Sequence, residues 1–161
     1  MDKIYSLNEL KIIIEANSQK WRPLVFTSGC FDLLHLGHLR YLTLAKKLGN
    51  SLIVGVNSDH SVQALKPKDK NIIARPIIPE EQRAKMLSYI KVVDGVVIFS
   101  ETTPFNLIQV LQPDIFTKGE IENLDKLPET PFVKAYGGKI QLVNSETSVS
   151  TTKIIQRILD K

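Results

Sequence analysis

The stretch PLVFTSGCFDLLHLGHLRYLTLAKKLG, Pro23–Gly49, decides the fold. PLVFTSG is an apolar run of strand length that ends in a turn. GHLRYLTLAKKLG sets Leu39, Leu42, Leu44, Ala45 and Leu48 at helical spacing and closes on Gly49. A buried strand that runs through a short loop into a helix near His38 is how a parallel α/β sheet begins. The loop holds an oddity. His35 and His38, two of the three histidines in the chain, flank Gly37 among leucines.

The same alternation continues along the chain. SLIVGVN (51–57), VDGVVIF (93–99), DIFTKG (114–119) and KIQLVN (139–144) read as four further strands. Ser6 and Glu9 form a capping box for a first helix. SDHSVQAL reads as a short helix capped by Ser58 or Asp59. PEEQRAKMLSYI reads as a helix with Pro79 near its first position and Glu80 and Glu81 in its first turn. TPFNLIQVL takes Thr103 as its cap, and STTKIIQRIL takes Ser150 or Thr151. Lys66–Pro79, with lysines and prolines and no clean period, reads as a long mobile loop. The sum predicts an α/β fold: a Rossmann-like, doubly wound sheet of about five parallel strands, in one domain over 1–161. Ligands of such sheets bind at the carboxyl ends of the strands, at the switch point. Three polar features follow strand ends, at 27–38, 57–68 and 117–120, and the Ser150–Thr152 cap belongs to the same edge.

Bulk properties narrow the function. The chain has 161 residues, 43% hydrophobic and 24% charged, as in an ordinary globular domain. No apolar run reaches the ~18 residues of a membrane span, and the first residues lack a signal-peptide core. The single cysteine, Cys30, excludes an internal disulfide and a multi-cysteine metal site. These features predict a cytoplasmic protein with no membrane partner. A net charge of +4 suits a small polyanionic ligand. With no arginine-rich run and no interleaved aromatics, no nucleic-acid partner is expected.

His-x-Gly-His sits where a strand ends and a helix begins. A helix N-terminus binds phosphate through its free N–H groups and dipole. Gly37 lets backbone approach a ligand closely. Two imidazoles three residues apart can aim donors at one anion, which is what a phosphate gaining charge in a transition state needs. No GxxxxGK[ST] and no GxGxxG occurs, so neither a Walker-type kinase nor a dinucleotide reductase is indicated. A zinc site built on these histidines with His60 and Asp59 would have poor spacing, so no metal ligands are assigned. Cys30 has no group placed to activate it as a nucleophile.

Three segments, GCFDLLHLGH (29–38), RPIIPEEQR (75–83) and STTKII (150–155), resemble in order the motifs of the HxGH nucleotidylyltransferase superfamily, in its cytidylyltransferase-like branch. Within that branch the chain is most similar to the heptose-1-phosphate adenylyltransferases, through FTSGCFDLLHLGHLRYL, LIVGVNSD, VDGVVIF, TPFNLIQVLQPDI and KAYGG. The resemblance runs from about Ile4 to Ile158. It implies transfer of a nucleotidyl group from a nucleoside triphosphate, as ATP, to a phosphorylated small acceptor such as a sugar 1-phosphate, with release of pyrophosphate. It implies magnesium carried on the triphosphate, and a homodimer.

Carried over by position, His35 and His38 stabilise the transferred phosphate, and Lys66 reaches the phosphates with Lys68 beside it. Arg83 contacts the acceptor phosphate, with Asp59 and Lys68 also on the acceptor side. Ser150, Thr151 and Thr152 hold the β- and γ-phosphates. Gly29, Cys30 and Phe31 line the turn beneath the nucleotide, Asp32 orients the loop, and Gly37 admits the ligand. Lys118 and Gly119 border the base or acceptor. There the chain departs from the family: the heptose enzymes carry Lys-Gly-Gly-Asp-Tyr, and this chain carries Lys118-Gly119-Glu120-Ile121-Glu122.

Other functions stay open at this stage. One is a CTP-dependent transferase for glycerol 3-phosphate or a phosphoalcohol. Another is an adenylyltransferase resembling FAD synthetase. A third is a nucleotide-binding regulator without catalysis. A class I aminoacyl-tRNA synthetase is disfavoured: AKMLS (84–88) lies within a helical pattern and lacks the final lysine of the KMSKS loop.

Overall fold

A computed structural model describes residues 3–67, 73–119 and 123–160. Its sheet contains β1 (Leu24–Gly29), β2 (Ser51–Asn57), β3 (Gly95–Phe99), β4 (Ile115–Lys118) and β5 (Lys139–Leu142). All pairings are parallel and the order is β3-β2-β1-β4-β5. The chain winds outward from β1 to β3, then returns to start β4 on the other side of β1. The switch point therefore lies between β1 and β4, where Val25 is in register with both Leu52 and Ile115.

The helices are α1 (Leu7–Ala16), α2 (Ser18–Trp21), α3 (Leu36–Lys46), α4 (Asp59–Leu65), α5 (Glu80–Ser88), α6 (Phe105–Leu111), α7 (Thr130–Ala135) and α8 (Thr151–Leu159). They cover both faces of the sheet, which is why its central strands are apolar without alternation. Successive side chains still part to opposite faces. Phe26 and Ile53 join Leu10, Leu107, Ile108 and Phe116 in one core cluster. Val25, Leu52 and Val54 join Leu42, Ala45, Ala84 and Leu87 in the other. Phe26 and Phe116 stack with centroids 5.8 Å apart. Gly55 makes room for that pair, since a Cβ there would lie 3.0 Å from the Phe26 ring.

Local signals explain most helix starts. Ser6 and Glu9 form the reciprocal capping box. Ser58 caps α4 through Ser61 N–H, and Ser150 caps α8 through Lys153 N–H. One expectation is corrected. Thr103 is not a cap: α6 begins after Pro104, with no side-chain cap bond. Pro79 is the N-cap residue of α5, beside its first helical position. Proline suits that place because it has no N–H to leave unpaired. Residues 73–79 contain neither helix nor strand. At the outer edge of β3, Tyr5 N–H donates to Val96 O and Val96 N–H to Lys3 O, which occupies ladder groups there.

Candidate functional site

The site begins where β1 ends. Phe31 and Leu33 both take φ 50°, a left-handed conformation unusual for such side chains. These two turns fold the loop back over the carboxyl end of β1 and deliver His35 to the start of α3. The helix starts earlier than the sequence suggests. His35 is its N-cap residue, and His38 lies one turn in. Gly37 N–H donates to His35 Nδ1 at 3.1 Å, and His35 N–H points at His38 Nδ1 at 3.4 Å. The two rings stack, with centroids 3.9 Å apart. Serine and glutamate make the same reciprocal arrangement in α1.

This geometry fixes the tautomer. A nitrogen that accepts a hydrogen bond cannot carry the proton, so in each neutral ring the proton is on Nε2. Burial pushes the His38 pKa down to about 4, and repulsion from His35 adds to it, against a smaller opposing pull from Asp32. Burial lowers His35 as well. The pair is thus two neutral Nε2–H donors near pH 7. The unfolded His38 binds a proton near pH 6.5 and the folded one only near 4. Stability linked to His38 is therefore present above about pH 6.5 and is lost as pH falls toward 4. Ring nitrogen NMR shifts at pH 6 should show His38 neutral with Nδ1 unprotonated.

A cleft of about 320 Å³ opens over this pair. Its floor is Ser28, Gly29, Cys30 and Phe31, its helix wall is His35, Gly37, His38 and Tyr41, and Gly119 borders it. The remaining wall, Val143, Ser145, Thr147 and Val149, was not found in the sequence. It comes from the loop before α8, more than a hundred residues from the motif, with no motif of its own. Gly37 is forced by this packing: a Cβ there would lie 2.7 Å from Thr147 Oγ1 and 2.9 Å from His35 Nδ1. Gly119 is not, because nothing lies within 4 Å of its would-be Cβ. Gly37→Ala should displace the His35 ring and lower ligand affinity at least ten-fold, whereas Gly119→Ala should leave stability unchanged. Parallel melting curves and nucleotide titrations test the contrast.

Beneath the cleft, Tyr41 OH lies 2.8 Å from both Thr27 Oγ1 and Thr117 Oγ1. This chain of hydroxyls bridges β1, α3 and β4 at the switch point. Burial raises the Tyr41 pKa, so the phenol stays protonated.

Asp32 is a hub. It is 1% exposed. Its carboxylate accepts from Arg75 Nε at 2.6 Å, Ile77 N–H at 2.9 Å and Ile78 N–H at 3.0 Å. Its carbonyl accepts from Thr151 Oγ1 at 2.5 Å. Burial alone would raise its pKa, but the Ile77 and Ile78 donors and Arg75 together hold it below the usual carboxylate value. The β1 turn, the 73–79 loop and the start of α8 are thereby tied together. Arg75 was not singled out in the sequence. Its signal was slight: an arginine within RPIIPEEQR, whose motif reading pointed to Arg83 instead.

Arg83 is also 1% exposed. Its Nε donates to Ile78 O at 2.8 Å, one terminal nitrogen to Cys30 O at 2.5 Å, and the other to Asp59 Oδ1 at 2.8 Å. Glu80, the same-helix partner its position suggests, instead accepts from Asp59 N–H. Arg83 and Asp59 thus stand together under the β1 turn. These contacts use three of the five N–H groups of the guanidinium, whose side chain is fully buried.

Four cations surround the turn. Lys66, Arg83 and Arg75 lie close enough to Cys30 to favour its thiolate, yet burial outweighs them and pushes the thiol pKa up. Lys118 extends from β4 to Ser28 Oγ at 3.4 Å. The hydroxyl of Ser150 and that of Thr151 are already engaged, with Lys153 N–H and Asp32 O, and Thr152 is exposed. Lys68 and the Glu120 departure lie outside the described residues. Among the described residues, no three His, Cys, Asp or Glu side chains gather where they could hold a metal ion. Also among them, no helix is long and apolar enough to cross a membrane.

Comparison with known proteins gives this site a family. Residues 26–157 match the family described as cytidylyltransferase-like. A curated protein named bifunctional protein HldE, from Syntrophotalea carbinolica, is 42% identical over 99% of this chain. The chain spans 31% of that relative's length. The crystal structure of a lipopolysaccharide core biosynthesis protein from Thermoplasma volcanium shares 32% identity, with a TM-score of 0.57 over 74% of this chain and 93% of that one. A pantoate-beta-alanine ligase from Francisella tularensis, 16% identical with a TM-score of 0.62 over 94% of this chain and 69% of its own, shares the fold. The match over most of the chain covers the strand end, the paired imidazoles and the Asp32 hub alike, and the chain belongs to the cytidylyltransferase-like family of nucleotidyltransferases.

Proposed function

We propose that this chain transfers an adenylyl group from ATP to a sugar 1-phosphate of the heptose 1-phosphate class and releases pyrophosphate. The observation that carries the reading is the pair of neutral Nε2–H donors at the end of β1, in a cleft whose floor residue Ser28 meets Lys118. An acceptor phosphate oxygen attacks the α-phosphorus in line. A new phosphorus–oxygen bond forms, the α–β bridging bond breaks, and its electron pair leaves with pyrophosphate. The attacking oxygen is already ionised, so no general base is required. Neutral donors suit this step: they stabilise charge that grows on the α-phosphate without first being neutralised by the ground-state triphosphate. Lys66 and Lys118, with Lys68, balance the remaining phosphate charge, and Ser150–Thr152 face the β- and γ-phosphates. Magnesium enters with the nucleotide as part of the substrate.

Choice of ATP over CTP rests on the similarity to the HldE relatives and to the heptose enzymes. Thermal shift with ATP, CTP, GTP and UTP, each with Mg²⁺, tests it. A ligand at about 100 times its Kd adds about 2.7 kcal/mol of stability. A shift with ATP alone is expected. A shift with CTP alone would replace this reading with the cytidylyl one and direct attention to Glu120. The homodimer is part of the same proposal, and sedimentation equilibrium checks it.

A further inference from the structure

Glu129 lies just before α7 and is 4% exposed. Among the described residues, its Oε2 is the one buried side-chain oxygen or nitrogen without a hydrogen-bond partner. A buried carboxylate is unfavourable unless it is paired and hydrogen-bonded, so an orphaned oxygen calls for a reason. Its other oxygen, Oε1, is 3.9 Å from Lys118 Nζ. That distance is close enough for strong attraction and too long for a hydrogen bond.

Lys118 is correspondingly under-coordinated. An ammonium has three N–H donors. Among the described residues, its one hydrogen bond is the 3.4 Å contact with Ser28 Oγ on the cleft floor. Its ammonium also lies 5.7 Å from the centroid of the Phe116 ring, which attracts the charge but takes no hydrogen bond. Glu129 thus supplies charge without occupying the donors.

We propose that Glu129 is a positioning residue for Lys118: its carboxylate keeps the half-buried ammonium charged at the cleft while leaving its N–H groups free for an anionic oxygen of the nucleotide. The pairing stands on geometry, and the assignment of the anion rests on the function proposed above. Burial pulls the Lys118 pKa down, and Glu129 opposes it most strongly, with Cys30 adding in the same sense. The Cys30 thiol is neutral near pH 7 because burial raises its pKa. Glu129 is then the main charge that opposes burial at Lys118.

Amine labelling of the full chain across pH 7–12, read for each lysine by mass spectrometry, tests this without any ligand. Lys118 should titrate below the ordinary lysine value. Glu129→Gln, which keeps the shape, should lower its midpoint by about one pH unit or more, and Glu129→Asp should restore part of the loss. An unmoved midpoint in folded Glu129→Gln overturns the proposal, as does the same drop from Glu122→Gln in its place. Affinity for MgATP provides the second readout. The affinity of Glu129→Gln relative to the parent should fall at least ten-fold between pH 7 and pH 9, whereas a ratio that does not change with pH would mean a structural role only. If the parent binds no nucleotide, the function fails while labelling still decides the pairing. Should Glu129→Gln not fold, Lys118→Met gives the reciprocal test. The stranded carboxylate should make that variant more stable at pH 5 than at pH 8 relative to the parent, and no such gain overturns the pairing.

Discussion

His38→Ala should lower kcat by about 10²–10³ while changing the affinity for MgATP by no more than a few-fold. The asymmetry follows from the state of the ring. A neutral Nε2–H adds little attraction to a triphosphate that brings its own magnesium. It adds much more when the α-phosphate gains charge in the transition state. His38 is the more buried of the two imidazoles, and its ring also contacts Phe31, with centroids 5.4 Å apart. Its donor is therefore held in place before the ligand arrives. Its loss also removes the weak 3.4 Å contact with His35 N–H, so the start of α3 loosens slightly. His38→Gln keeps a side-chain donor and should recover part of kcat. Steady-state kinetics beside calorimetric titration separate the two quantities. A near-normal kcat in His38→Ala would contradict the assigned role.

Asp32→Ala should destabilise the fold by about 3–5 kcal/mol, the cost of leaving a buried charge without its partner. Arg75 would be stranded, with its side chain 4% exposed, and the N–H groups of Ile77 and Ile78 would lose their acceptor. The effect should depend on pH with a definite sign. The folded pKa of Asp32 lies below its unfolded value. Its stabilisation is therefore complete above the ordinary carboxylate pKa and is lost as pH falls through the lower folded value. Urea melts of parent and variant at pH 7 should differ fully, and the difference should narrow in acid. A constant difference down to pH 2 would mean that the carboxylate charge is not what stabilises the hub.

The sheet was legible because its strands are continuous apolar runs and its helices carry period and caps. The end of β1 was harder to read. Serine, threonine, aspartate and asparagine are the usual N-caps. Before α3 the nearest of these is Asp32, and its carboxylate is committed to residues 75–78. His35 takes the cap in its place, so α3 begins at Leu36 and not near His38. A motif spacing could show that two histidines neighbour each other. It could not show that both Nδ1 atoms face the backbone, and that orientation determines what the pair can do.

The limits are similar for the charged groups. The sequence marked Lys118 but gave no sign that the carboxylate beside it would be Glu129, eleven residues on. Arg83 was legible as a motif residue, but its burial under the β1 turn was not. That burial depends on Cys30, Asp59 and Ile78 arriving from three separate segments. The Thr27–Tyr41–Thr117 bridge likewise exists only once β1, α3 and β4 are assembled.

The most direct test of the central claim is ³¹P NMR of the protein with MgATP and heptose 1-phosphate, followed in time. The account predicts equimolar growth of pyrophosphate and of a nucleotide-sugar diphosphate, with no phosphorylated protein signal at any point. Absence of pyrophosphate with ATP, and equally with CTP, GTP and UTP, would contradict it.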